Sequence, residues 1–149
     1  MPEVINMALE FISGLTEAEF YDMLSKEPQK LKVVNVSDVR QSKRNANDYF
    51  FYIDFMITST GQEMGVAYGI KKDAAAEDKY IIPSGSKLYK IMEYVHGLYD
   101  KDLERIALNQ ADLHESLDNL EAIFTAKKEK AGKTTYYVLI PVKRNSTTV

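Results

Sequence analysis

The chain contains no cysteine, which excludes structural disulfides and thiolate zinc sites and leaves redox compartment without a marker. Only two histidines occur, His96 and His114, on separate segments. Neither is accompanied by carboxylates in a ligand spacing, so no metal or other cofactor is expected. No stretch approaches about 18 consecutive apolar residues, the length a membrane helix needs. The opening Met1-Pro2-Glu3 lacks the basic start and apolar run of a secretory leader. These absences point to a soluble, cytoplasmic protein with no membrane partner.

Catalytic constellations are missing too. Gly132-Lys133-Thr134 imitates the end of a phosphate-binding loop, but Lys127 stands where the first glycine belongs and a strand, not a helix, should follow. Ser84-Gly85-Ser86-Lys87 has the serine–lysine spacing of penicillin-recognising enzymes without their other elements, and reads better as a helix entry. No nucleophile, base and orienting group can be assembled, so a non-enzymatic protein is expected.

What is present is an ordinary globular composition, 45% hydrophobic and 28% charged over 149 residues, enough for one domain with its own core. The net charge of −3 is unevenly spread. Residues 1–30 carry two basic and six acidic groups and residues 91–120 two and seven, whereas residues 31–90 carry nine and seven and residues 121–149 six and two. Acid gathers in segments of helical pattern and base in strands and their connections, which favours a basic face on an acidic protein.

The densest pattern is residues 49–58. Phe51, Ile53, Phe55 and Ile57 share one parity, the buried side of a strand, while Phe50, Tyr52, Asp54 and Met56 share the other. Two aromatics on the second side imply a covering layer or a stacking surface. Before this strand, residues 1–30 read as a helical cap: Val4, Met7, Ala8, Phe11 and Ile12 lie at helical spacing, Ser13-Gly14 breaks the pattern, and Thr16-Glu17-Ala18-Glu19 is a capping box for a helix that Pro28 closes. A first strand is expected over residues 31–39 and a polar connection over 40–48. After a turn at Ser59-Thr60-Gly61 comes a third strand with Met64, Val66, Tyr68 and Ile70 on one face and Gly65, Ala67 and Gly69 on the other. Residues 71–83 read as a loop, 87–96 as a helix ending at Gly97, and 100–109 as a further helical piece. Asp112-Leu113-His114-Glu115 reads as a second capping box, and residues 122–130 and 134–143 as a closing hairpin.

After the helical cap come three strands, a helix and a closing hairpin, the element order of the OB-fold, a five-stranded barrel. With its basic connection and aromatic second strand, Ser84-Gly85-Ser86-Lys87-Leu88-Tyr89-Lys90 before the helix, and Asn119-Leu120-Glu121-Ala122-Ile123-Phe124-Thr125-Ala126-Lys127 with Gly132-Lys133 and Tyr136-Tyr137 at the end, the chain resembles the OB-fold single-stranded DNA-binding proteins of phages. The resemblance covers roughly residues 31–144, following the 1–30 cap and preceding a flexible tail at 145–149. It departs from that family at Ala122, where glycine is frequent, and at the end of the chain, which lacks an acidic tail.

The resemblance implies a mainly β protein with helices, a five-stranded OB-fold β-barrel bearing an N-terminal helical extension and a helical segment between strands 3 and 4. It implies binding of single-stranded DNA with little sequence preference in DNA replication or recombination, in the host cytoplasm. It leaves room for a homo-oligomer and for replication or recombination proteins as partners. Such folds bind across strands 2 and 3 between two flanking connections. The implied nucleic-acid contacts are Phe50 and Tyr52 as stacking rings, Lys43 and Arg44 on one flank, Lys127, Lys128, Lys130 and Lys133 on the other, and Tyr137 beside them. The alternative is an OB-like protein–protein interaction module with an assembly or regulatory role, its aromatic face packed on a partner.

Overall fold

The computed structural model describes residues 16–76, 78–83, 85–97 and 105–142. The expected helical pattern of residues 4–12, the break at Ser13-Gly14 and the tail from Asn145 lie outside them. The elements are α1 (Glu17–Lys26), β1 (Gln29–Val36), β2 (Arg40–Gln41), β3 (Asp48–Ile57), β4 (Glu63–Lys72), β5 (Tyr80–Pro83), α2 (Lys87–His96), β6 (Arg105–Leu108), α3 (Gln110–Leu117), β7 (Glu121–Ala131) and β8 (Thr134–Pro141).

All strands join one antiparallel sheet of order β6-β5-β4-β3-β1-β7-β8, with β2 paired to β3 on the edge that β1 leaves free. The fold is therefore mainly β with three helices among the described residues. β1, β3 and β4 form a meander and β7 returns to lie beside β1, which is a Greek-key order. Among the described residues the sheet has eight strands, and its path ends on two edge strands, β6 and β8, that are not hydrogen-bonded to each other. Instead α2 packs on β8 near one end of the strand order and on β4 and β5 near the other, so the sheet curls around a core that this helix covers.

Three corrections concern the extra strands. The connection over 40–48 contains β2, and Asp48 already belongs to β3. The loop over 71–83 contains β5, which pairs with the end of β4. Where a helical piece was expected over 100–109, Arg105–Leu108 is strand β6, paired with β5 from Tyr80↔Leu108 to Pro83↔Arg105. Partner strands supply the backbone hydrogen bonds that local helix preference would otherwise satisfy internally. The second capping box is also displaced. Asn109 is the N-cap of α3, its side chain accepting from the Asp112 amide at 2.7 Å, and Asp112 lies in the first turn.

Other expectations hold. The Thr16 hydroxyl accepts from the Glu19 amide at 3.1 Å, and Glu19 accepts from the Thr16 amide at 3.3 Å. Phe20 and Leu24 on α1 are fully buried, and the helix packs on β7. Phe51, Ile53, Phe55 and Ile57 of β3 are buried, facing inward with Val66, Tyr68 and Ile70 of β4. Phe55 and Phe124 meet edge to face at 5.5 Å in the middle of this core. Gly97 ends α2 in the left-handed conformation with φ +64°, which a residue without a Cβ adopts at no steric cost.

β1 bends on its way across the sheet. Its register against β3 shifts between Val33 and Asn35, a bulge that sharpens the local twist. Beyond Val36 the ladder is continued by a side chain: the Tyr52 amide donates to Ser37 Oγ at 2.7 Å and the Ser37 amide donates to the Tyr52 carbonyl at 2.9 Å. α3 holds this corner. Its Gln110 side chain accepts from the Val39 amide at 2.8 Å, and His114 Nε2 lies 3.0 Å from the Ser37 carbonyl.

Candidate nucleic-acid interface

Residues directly opposite in an antiparallel sheet share a face, so the register defines what β3 and β4 present outward. Arg40, Phe50 and Gly69 form one row, and Tyr52 faces Ala67 in the next. Then follow Asn35, Asp54 and Gly65, and Lys32, Met56 and Glu63. Beyond Phe50 in the other direction, Asp48, Lys71 and Ile81 make a further row. One end of this face is aromatic, with Arg40 and Lys71 outnumbering Asp48, while at the other Asp54 and Glu63 outnumber Lys32.

Tyr52 retains 44% of its surface and Phe50 is half-buried, so among the described residues neither ring is covered by a packed layer. α1 lies on β7 instead. The rings stand at 89° with centroids 5.8 Å apart, edge against face, which keeps an aromatic corner standing above a floor of Gly69 and Ala67. Both floor residues are exposed.

Lys43 and Arg44 sit in the β2–β3 connection beside this corner, both exposed. That connection is tied down by its own polar side chains. The Arg44 amide donates to Ser42 Oγ at 3.2 Å, the Asn47 amide to Asn45 Oδ1 at 2.9 Å, and Gln41 Nε2 to the Ala46 carbonyl at 2.9 Å. Two cations unmarked in the sequence join them. Arg40 is paired opposite Phe50, and Lys71 makes a 3.5 Å ion pair with Asp48 that is half-exposed on both sides and energetically slight.

The remaining expected contacts lie elsewhere. β7 pairs with the beginning of β1, from Gln29↔Phe124 to Lys32↔Glu121, and runs on past it, whereas Phe50 lies level with the continuation of β1 in β2. Lys127, Lys128 and Lys130 are therefore set toward the opposite end of the strands, and Lys133 is in the β7–β8 turn. Alternation splits them further, with Lys127 on one side of the hairpin and Lys128 and Lys130 on the other. Tyr137 is stacked on Tyr21 of α1, with centroids 5.1 Å apart and an interplanar angle of 8°, and Lys128 Nζ lies 5.5 Å from its ring centre. The structure thus brings Lys43, Arg44, Phe50 and Tyr52 to one corner and puts Tyr137 with Lys128 beside α1, with Lys130 on the same side of the hairpin and Lys127 on the other.

No family model matches the chain, and neither characterised proteins nor solved structures provide a match.

Elsewhere, polar side chains meet one another. Ser116 Oγ lies 3.2 Å from His96 Nε2 on the surface between α3 and α2. Among the described residues, no group of three or more His, Asp or Glu side chains is arranged to hold a metal. No helix among them is long and apolar enough to cross a membrane. Tyr68 is different: its ring is buried, its hydroxyl has no hydrogen-bond partner among the described residues, and Lys87 Nζ lies 5.8 Å from the ring centre. Burial first, then the nearby Tyr21 phenol, raises the Tyr68 hydroxyl well above its ordinary value. Burial, then the Glu17 carboxylate, does the same to Tyr21.

Proposed function

We propose that this protein binds single-stranded DNA with little sequence preference and without catalysis, serving DNA replication or recombination, as its phage-family resemblance implies. The observation that carries the reading is the exposed Phe50–Tyr52 corner on a glycine and alanine floor, bordered by Arg40, Lys43, Arg44 and Lys71. A ring accepts the flat face of any base and is worth about 1–3 kcal/mol per stacked base, while the cations follow phosphates without reading sequence.

The fold reading belongs with this proposal. β1 with β2, β3, β4, β7 and β8 correspond to the five strands of an OB-fold, α2 to the helix between its third and fourth strands, and β5 and β6 to an addition at the edge of β4. On that correspondence β3 and β4 are the ligand-binding strands. Lys128 and Lys130, on the Tyr137 side of the β7–β8 hairpin, form a second, separate contact for a longer strand.

The test is fluorescence anisotropy with labelled oligothymidine over a salt series. Four phosphate contacts predict a slope of log K against log salt of about −3. Tyr52→Ala should weaken binding about 5- to 150-fold, the equivalent of one stacked base, while Tyr52→Phe keeps the affinity. Binding that ignores salt, or that survives Tyr52→Ala and Phe50→Ala unchanged, refutes the platform. A protein partner whose binding is lost with the same two substitutions would favour the interaction-module alternative.

A further inference from the structure

Next to the aromatic corner the outward face deepens into a cleft of about 410 Å³, lined by Ser42, Asp48, Phe50, Gly69, Lys71, Pro83 and Ser86 with the backbone side of Tyr49 and Ile70. Its volume falls in the range of about 300–1,000 Å³ typical of small-molecule pockets. Three features suit it to a single flat ligand.

The floor is open at Gly69. A Cβ built there would meet nothing closer than the Tyr49 carbonyl at 4.0 Å, so the missing side chain leaves free space. The walls are firm: Tyr49 is braced from behind by the Tyr80 ring at 5.4 Å, and Lys72 Nζ lies 5.7 Å and 5.0 Å from the centres of those two rings. The rim is polar and partly engaged. Ser86 Oγ donates to the Pro83 carbonyl at 2.8 Å, which leaves its lone pairs as acceptors, and Ser42 Oγ accepts from the Arg44 amide, which leaves its proton to donate. Among the described residues Lys71 is held only by its exposed pair with Asp48, a carboxylate it can exchange for a phosphate.

We propose that this cleft receives one nucleobase of the bound single strand, turned out of the stack, with the Phe50 ring and Pro83 against it, the Ser42 and Ser86 hydroxyls at its edge, and Lys71 on the adjoining phosphate. The inference rests on the single-strand reading above and adds to it a site of different character. The corner at Phe50 and Tyr52 accepts any base face, whereas the cleft meets the edge of one base with a donor and an acceptor. Phe50 is shared by both, which puts the turned-out base next to the stacked one. Unstacked bases that hydrogen-bond on their edges are a common mode of single-strand recognition.

The experiment is intermolecular NOE spectroscopy of the full chain with a short oligothymidine, paired with anisotropy titrations of Gly69→Val. Gly69 lies in β4 outside the left-handed region, so valine suits the strand and its side chain projects into the cleft. The expected result is NOEs from a thymine methyl to Pro83 and to the Gly69 α-protons, and a loss of affinity of at least fivefold in Gly69→Val at unchanged melting temperature. NOEs confined to Tyr52 and the open side of Phe50, with Gly69→Val binding like the parent, overturn the cleft assignment and leave the stacking platform standing. Absence of oligothymidine binding by the parent chain at low salt overturns both. Should Gly69→Val fail to fold, the NOE pattern of the parent chain decides alone.

Discussion

Replacing Tyr68 by phenylalanine should stabilise the protein. The Tyr68 hydroxyl is buried without a partner among the described residues, and an unsatisfied buried hydroxyl costs about 1–3 kcal/mol. Phenylalanine keeps what the ring contributes: its tilted contact with Phe51 at 6.2 Å and its place beneath Lys87 Nζ. The only loss is the dispersion contact of one oxygen. A net gain of about 1 kcal/mol is expected, equivalent to about 2–4 °C in melting temperature for a chain of this length. Urea denaturation at pH 7 with an unchanged m-value reads it directly.

A second measurement follows from the raised hydroxyl. A group whose folded-state proton affinity exceeds its unfolded one contributes stability that is complete below its ordinary value, near pH 10 for tyrosine. That contribution declines as pH rises from there toward the folded value. The parent protein should therefore lose stability above about pH 10, and Tyr68→Phe should lose less, so the gap between the two melting curves widens with pH. A variant destabilised by 1 kcal/mol or more at pH 7 would refute the reasoning, because the hydroxyl would then have a partner worth keeping.

Asp54→Asn removes a carboxylate from the outward face while retaining an oxygen for the Asn35 amide at 3.3 Å. At about 10 Å from a phosphate in water the charge opposes binding by about 0.4 kcal/mol, so oligothymidine affinity should rise about twofold at low salt and converge on the parent at high salt. Thr16→Ala deletes the capping box of α1 and should cost about 1 kcal/mol in thermal or urea unfolding, with affinity unchanged for an oligonucleotide short enough to occupy only the Phe50–Tyr52 corner, from which α1 lies away. His114→Ala releases one of the two ties between α3 and the Ser37 corner. It should raise amide exchange at Ser37 and Tyr52 as measured by hydrogen–deuterium NMR, where unchanged exchange would show that Gln110 suffices.

Much of the inner architecture was legible because burial on one side of a strand imposes a period of two. The inward residues of β3 and β4 follow that parity, and the α1 capping box and the glycine stop of α2 are local signals that act locally. The strands that escaped are those whose existence depends on a neighbour. β2 is two residues long, and Arg105-Ile106-Ala107-Leu108 has the composition of a helix until β5 lies beside it. At the proposed corner, the pattern showed two aromatics on the outer side of β3 and the family resemblance named Phe50, Tyr52, Lys43 and Arg44, but Arg40 and Lys71 needed the register to join them. Tyr137 shows the opposite effect. Its parity left it two faces to choose from, and the docking of α1, which no local pattern encodes, put Tyr21 flat against it.

The way α2 spans the curled sheet has a mechanical consequence. Along the outer edge of β8, closure depends on interlocking side chains and not on a ladder of amides and carbonyls, so that seam has no register to lose. It can part by the width of a side chain and reseat without breaking a backbone bond. The amides of β8 that point away from β7, like those on the outer edge of β6, have no strand partner among the described residues, so they should be among the first in the sheet to exchange with solvent.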